Sequence, residues 1–160
     1  MKKTLGIGIS AGVIAGIITE LSGPIQMISW VFFIGMLSFY ASGCGVDGLK
    51  RSTATNISGV FWGWVILMLS ELLPIPFSLG ISVVIIVIVM CLQSHISILN
   101  FIPGAFVGCS CYFGTGFDAK GVIYALVVGN VLAWISSVLG EKLGDLLEGR
   151  NGNAESEKAS

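Results

Sequence analysis

Charged residues fall along this chain in a few clusters, and long stretches between them carry none. Positions 4–19, 21–46, 52–70, 72–117 and 121–140 contain no Asp, Glu, Lys or Arg. A helix crossing a ~30 Å hydrocarbon core needs about 20 mostly apolar residues, each adding ~1.5 Å. The fourth stretch is long enough for two such helices, and Gln93-Ser94-His95, Asn100 and Pro103-Gly104 interrupt it. Six helices are therefore predicted, at 5–19, 25–42, 53–70, 77–92, 98–114 and 121–140. Several are short, which suits tilted neighbours in a thin bundle. The apolar runs do not alternate with period two, which excludes a transmembrane barrel.

Composition strengthens the membrane reading. Of 160 residues, 54% are hydrophobic, 11% are charged and 22 are glycine, and mean hydropathy is +0.93. A soluble domain is about 25% charged and about 7% glycine. The segment 141–160 alone holds Glu141, Lys142, Asp145, Glu148, Arg150, Glu155, Glu157 and Lys158, so too few charges remain to coat a water-facing surface. A net charge of -1 without a basic cluster excludes a nucleic-acid partner.

The basic residues also set a direction. With the N-terminus in the cytoplasm and six alternating spans, Lys2, Lys3, Lys50, Arg51, Lys142, Arg150 and Lys158 fall inside and only Lys120 outside. Both termini are then cytoplasmic. Met1-Lys2-Lys3 before an apolar run also begins a secretory leader, but no convincing small-x-small cleavage site follows. Gly8, Gly12 and Gly16 share one helix face, where missing side chains let another helix approach. A retained, packed first helix is expected. Residues 1–142 form the membrane domain, and 143–160 form a short amphipathic end (Leu143, Leu146, Leu147) and a disordered tail.

An internal similarity divides the membrane domain at about 72. Phe33-Ile34-Gly35 through Ser42-Gly43 matches Phe106-Val107-Gly108 through Thr115-Gly116 at an offset of 73. Gly8-Ile9-Ser10 matches Gly80-Ile81-Ser82, and Gly59 and Trp64 match Gly129 and Trp134. Halves 1–72 and 73–142 with three spans each enter the membrane in opposite senses, the inverted-repeat design of many channels and transporters. Coincidence among common membrane residues is the alternative. The fold expected is an all-α transmembrane, compact bundle of six helices in two inverted three-helix repeats.

Glu20, Asp47, Glu71 and Asp118 lie at predicted span edges, where headgroups and water reach them. Uncharged polar groups penetrate deeper: Asn56 and Ser58 in the third span, Asn130 at the centre of the sixth, Gln26 and Asn100 at the starts of the second and fifth. An amide in hydrocarbon needs a partner, so these residues either join helices or line a path for a small polar solute. Pro103-Gly104 weakens helix, and irregular backbone at membrane depth persists only where protein or a water-filled cavity covers it. The plainer reading is a first helical turn, where proline is welcome. Phe33 and Phe106, beside Gly35 and Gly108, are candidates for a symmetric apolar constriction. The candidate pathway is thus Phe33, Gly35, Asn56, Asn100, Pro103, Gly104, Phe106, Gly108 and Asn130.

Cys44, Cys91, Cys109 and Cys111 read as small packing residues. Cys91 and His95 share a face, but no CxxC or HxxxH spacing accompanies them, and no metal or other cofactor is expected. The sole histidine has no nearby acid, and no GxSxG, HExxH, P-loop or GxGxxG stands in a suitable context, so no enzyme is expected.

Ser29-Trp30, Gly35, Tyr40, Gly48-Leu49, Gly59 and Trp62 are common membrane patterns taken singly, and Phe101-Ile102-Pro103-Gly104-Ala105-Phe106-Val107-Gly108 is the specific stretch beside them. In these the chain, from about Leu5 to Gly140, resembles a family of small bacterial inner-membrane proteins, domain of unknown function 1097. The resemblance implies a multi-pass protein of the bacterial inner membrane and supplies no substrate, cofactor or catalytic residue. Two functions are expected to compete. One is a channel or facilitator for a small neutral or weakly polar solute, running between spans two and five. The other is a non-transporting subunit, scaffold or sensor that works by helix–helix contact. The lipid bilayer and further copies of the chain are the expected partners under either.

Overall fold

Backbone polar groups in a stretch without water must bond one another, and each uncharged stretch closes into helix for that reason. A computed structural model describes the backbone of residues 2–158 and the side chains of residues 3–146. The helices are α1 (Lys2–Leu21), α2 (Ser29–Ala41), α3 (Gly45–Leu72), α4 (Ser78–Leu92), α5 (Ile102–Gly114) and α6 (Ala119–Lys158). Short 3-10 turns, Gln93–His95 and Ser97–Leu99, lead from α4 to α5, and the described residues form no strand. The side chains of the expected tail, from 147 onward, lie outside the described residues.

Among the described residues, four segments are long and apolar enough to cross a membrane: Lys3–Leu21, Gly45–Leu72, Ser78–His95 and Ala119–Leu146. The other two helices, α2 and α5, have 13 residues each and are only ~20 Å long. Both start later than their apolar patterns do. Before α2, Gly23-Pro24 interrupts the helix and Gln26 takes a left-handed φ of 50°. Before α5, the chain turns twice through 93–99, and Pro103 occupies the first turn of the helix. Residues 100–104 are thus a helix start, not a break within a helix. The turns after these two helices resemble one another. Gly43 and Cys44 have φ of 97° and 59°, and Gly116 and Phe117 have φ of 68° and 74°.

Two long helices organise the bundle. α6 packs along α1 and α2, α3 packs along α5 and α4, and α3 meets α6. Lipid is as apolar as leucine, so burial supplies little drive for association here, and close backbone contact takes its place. Gly59 of α3 lies against the backbone of Ala105 and Cys109, and Gly108 of α5 against Asn56 and Val60. Across the bundle, Gly35 of α2 lies against Leu126 and Gly129 of α6, and Gly129 against Phe32 and Met36. A third contact brings Gly6 of α1 onto Gly140 and Gly144.

That last contact corrects the expectation for α1. Gly8, Gly12 and Gly16 have no heavy atom within 4 Å of where a Cβ would stand, so their face points away from the bundle. The packing glycine is Gly6, on another side of the same helix. Around the bundle, Leu5, Ile9, Val13 and Ile17 of α1 and Val84, Ile85 and Ile88 of α4 are exposed, an apolar coat for lipid tails. Inside it, Val31, Phe32 and Phe39 of α2 and Val122, Ala125 and Leu126 of α6 are buried in one core.

Candidate functional site

Polar side chains collect where α3 and α6 meet. Asn56 and Asn130 are both fully buried. Asn130 lies about ten residues from Lys120 and from Glu141, which is ~15 Å along a helix in each direction, midway along a stretch long enough to cross a ~30 Å core. With the Asn56 amide oriented to satisfy its surroundings, its oxygen accepts from Asn130 Nδ2 at 2.9 Å. Its nitrogen then lies 2.8 Å from Ser38 Oγ and 3.0 Å from the Gly104 carbonyl. Asn130 Nδ2 also donates to the Leu126 carbonyl at 2.8 Å, whereas Asn130 Oδ1 is buried without a partner. The centre therefore ties α2, α3, α5 and α6 together and offers one unused acceptor.

Gly104 is what lets α5 come this close. A Cβ there would collide with Thr55 Oγ1, itself bonded to the Arg51 carbonyl at 2.7 Å. Gly35 and Gly108 act likewise at their crossings with α6 and α3. The structure thus gathers Asn56, Asn130, Gly104 and Gly108 around one junction, with Gly35 on the neighbouring one.

The remaining pathway candidates lie apart. Phe33 is on the outer face of α2, 45% exposed, with its ring stacked edge-on against Phe32. Phe106 and Pro103 line an apolar groove of about 620 Å³ between α2 and α5, shared with Trp30, Ile34 and Leu37. Phe33 and Phe106 therefore form no constriction with each other. Two residues of helix turn a side chain through ~200°, so a phenylalanine two positions before a buried glycine faces away from that glycine's contact. Asn100 is exposed and lines a polar cavity at the end of the bundle where α3 begins.

Two further polar clusters join helices. Gln93 Oε1 accepts from Ser58 Oγ at 2.6 Å and from Trp62 Nε1 at 2.8 Å, while Gln93 Nε2 is buried without a partner. On the other side, Tyr40 Oη and Ser136 Oγ lie 2.7 Å apart, and Ser10 Oγ donates to the Ser136 carbonyl at 2.7 Å. In sequence Gln93 reads only as part of a polar break, because its partners lie 31 and 35 positions away. Between α3, α4 and α5 a second apolar cavity of about 300 Å³ is lined by Ile66, Val87, Met90 and Phe113 among others.

Charged groups stay at the ends of the bundle. Glu20, Asp47, Glu71 and Asp118 are exposed, and Asp118 caps α6 by accepting from the Gly121 N–H at 2.9 Å. Cys44, in the turn before α3, has its thiol pKa raised by burial and, to a lesser extent, by the negative charge of Glu141. Among the described residues no three His, Cys, Asp or Glu side chains are grouped as metal ligands would be.

Comparison with known proteins finds a match over residues 8–141 to a family model described as "Protein of unknown function (DUF1097)". The chain is 34% identical over 139 residues to the "Inner membrane protein YcdZ" of Escherichia coli (strain K12), covering 84% of this chain and 83% of that one. It is 30% identical over 149 residues to the protein of the same name in Salmonella typhimurium, covering 86% and 92%. To the "Uncharacterized protein YahC" of Escherichia coli (strain K12) it is 28% identical over 173 residues, covering 95% and 99%. No solved structure matches.

Proposed function

The chain belongs to the DUF1097 family of proteins of unknown function, and from that premise we propose that this membrane protein is a channel or facilitator for a small neutral or weakly polar solute. The observation that carries the proposal is the buried amide pair at mid-depth, with Asn130 Oδ1 left without a donor. An acceptor buried unpaired in a low-dielectric interior costs about 1–3 kcal/mol. A solute bearing N–H or O–H groups relieves that cost as it passes. The scarcity of buried charge suits a neutral solute better than an ion.

The proposed framework is a pair of inverted three-helix repeats, crossing six times with both termini in the cytoplasm. Its supports are correspondences at fixed offsets. α5 spans the residues of α2 displaced by 73 at both ends, and the left-handed pairs Gly43-Cys44 and Gly116-Phe117 differ by the same 73. Gly108 rests on Asn56 and Val60 as Gly35 rests on Leu126 and Gly129, and Gly59 and Gly129 reciprocate. Sites in such designs lie near the midplane where the halves meet, which is the depth of Asn56 and Asn130. The short helices α2 and α5 complete their crossings with the irregular segments 22–28 and 93–101.

Flux into proteoliposomes, followed by stopped-flow light scattering over urea, acetamide and glycerol, tests this reading. Transport of at least one solute above protein-free vesicles is expected, reduced at least fivefold by Asn130→Leu. Folded protein that passes none of them overturns it. A second reading, a non-enzymatic scaffold or subunit that associates with further copies of itself, draws on the outward face of Gly8, Gly12 and Gly16. Cross-linking through a cysteine placed at Gly12 in native membranes decides it, and an unlinked monomer throughout refutes it.

A further inference from the structure

At the end of the bundle where α3 begins, a polar cavity of about 380 Å³ is lined by Asp47, Lys50, Arg51, Ser97, Ile98 and Asn100. Among the described residues, neither of its two cations has a carboxylate within ion-pair distance. Arg51 directs Nη2 at the Ser42 carbonyl (3.2 Å) and Nε at the Asp47 carbonyl (3.4 Å), which fixes the guanidinium and leaves its other donors unused. Among the described residues Lys50 has no hydrogen-bond partner. Along α3, Arg51 and Glu71 are 20 residues apart, or ~30 Å, so the cavity lies at the level of the phosphates of one leaflet.

We propose that this cavity is a binding site for the headgroup of an anionic phospholipid. Lys50 and Arg51 hold the phosphodiester, while Asp47, Ser97 and Asn100 take the headgroup hydroxyls as hydrogen-bond partners. Basic pockets between helices at a membrane surface recognise lipid phosphates in this way. The charge balance selects the lipid over free phosphate. Two cations and one carboxylate leave a single positive charge, which matches a phosphodiester and not a dianion. The apolar groove between α2 and α5 begins two residues beyond Asn100, at Ile102 and Pro103 with Leu37 opposite, and offers a bed for an acyl chain. The site does not depend on whether the bundle conducts a solute.

Native mass spectrometry of the full chain in a neutral detergent tests it, with phosphatidylglycerol, phosphatidylcholine and inorganic phosphate as probes. Phosphatidylglycerol is expected to bind more tightly than phosphatidylcholine, with affinity falling about fivefold for Lys50→Gln and again for Arg51→Gln. Lys120→Gln, at the opposite end, is expected to leave affinity unchanged. Thermal unfolding checks each variant, and Lys50→Gln decides the matter if Arg51→Gln fails to fold, because Lys50 bonds to nothing else. Equal binding of the two lipids, no response to Lys50→Gln, or displacement of the lipid by millimolar inorganic phosphate overturns the proposal.

Discussion

Replacing Gly108 with alanine sets a methyl group against the backbone of α3, where nothing can rotate aside. An ideal Cβ at this position stands 2.8 Å from the Asn56 carbonyl carbon and 2.9 Å from the Val60 nitrogen, with the Asn56 oxygen nearer still. Comfortable separations between such atoms are about 3.5–4.0 Å, so α3 and α5 must part by ~1 Å at their crossing. Overpacking of this kind costs about 1–3 kcal/mol, and the upper end applies because both sides are backbone. Alanine regains ~0.5–1 kcal/mol of helix propensity, leaving a net loss of about 2 kcal/mol. The same substitution at Gly12 meets no heavy atom within 4 Å and should be neutral or stabilising by up to ~1 kcal/mol. Unfolding by added sodium dodecyl sulfate, followed by tryptophan fluorescence, reads both variants. If Gly108→Ala and Gly12→Ala shift the transition equally, close backbone packing is not what holds α3 to α5.

Three other measurements probe separate links. A double-mutant cycle with Asn56→Leu and Asn130→Leu should give a coupling of about 0.6–1.7 kcal/mol; additivity would mean that the two amides do not bond. Tyr40→Phe should destabilise by ~1 kcal/mol through loss of the Ser136 contact, and Ser136→Ala should add little further in its presence. In a variant retaining only Cys44, maleimide should react more slowly at pH 8 than with an exposed thiol of pKa about 8.5. There, Glu141→Gln lowers the thiol pKa, raises the thiolate fraction and speeds labelling, and an unchanged rate would remove Glu141 from the explanation.

The helices were legible in the sequence because lipid leaves an uncharged stretch no other structure. Helix bounds at 22–28 and 93–101 were less so. Gln26 adopts a left-handed conformation that no local pattern announces, and the second 3-10 turn, Ser97–Leu99, lies where apolar residues resume after the Gln93–His95 break. Partners were the least legible. The spacing of Gly8, Gly12 and Gly16 identifies a face but not what covers it, and the covered glycine is Gly6, opposite the Gly140-x-x-x-Gly144 pair. That Asn56 and Asn130 need partners on other helices could be read. That Gln93 joins Ser58 and Trp62 could not, since the contact exists only once α4 lies against α3.

The pairing of α1 with α6 bears on how the protein is made. Gly6 and its partner Gly140 are separated by about 130 residues of synthesis, or roughly 7–27 s at 5–20 residues per second. Over that interval α1 lacks its main neighbour, and the Gly6 side stays uncovered along with the open glycine face. Assembly therefore ends with the first helix being clasped by the sixth. A chain stopped before Gly140 would lack the backbone surface that covers Gly6.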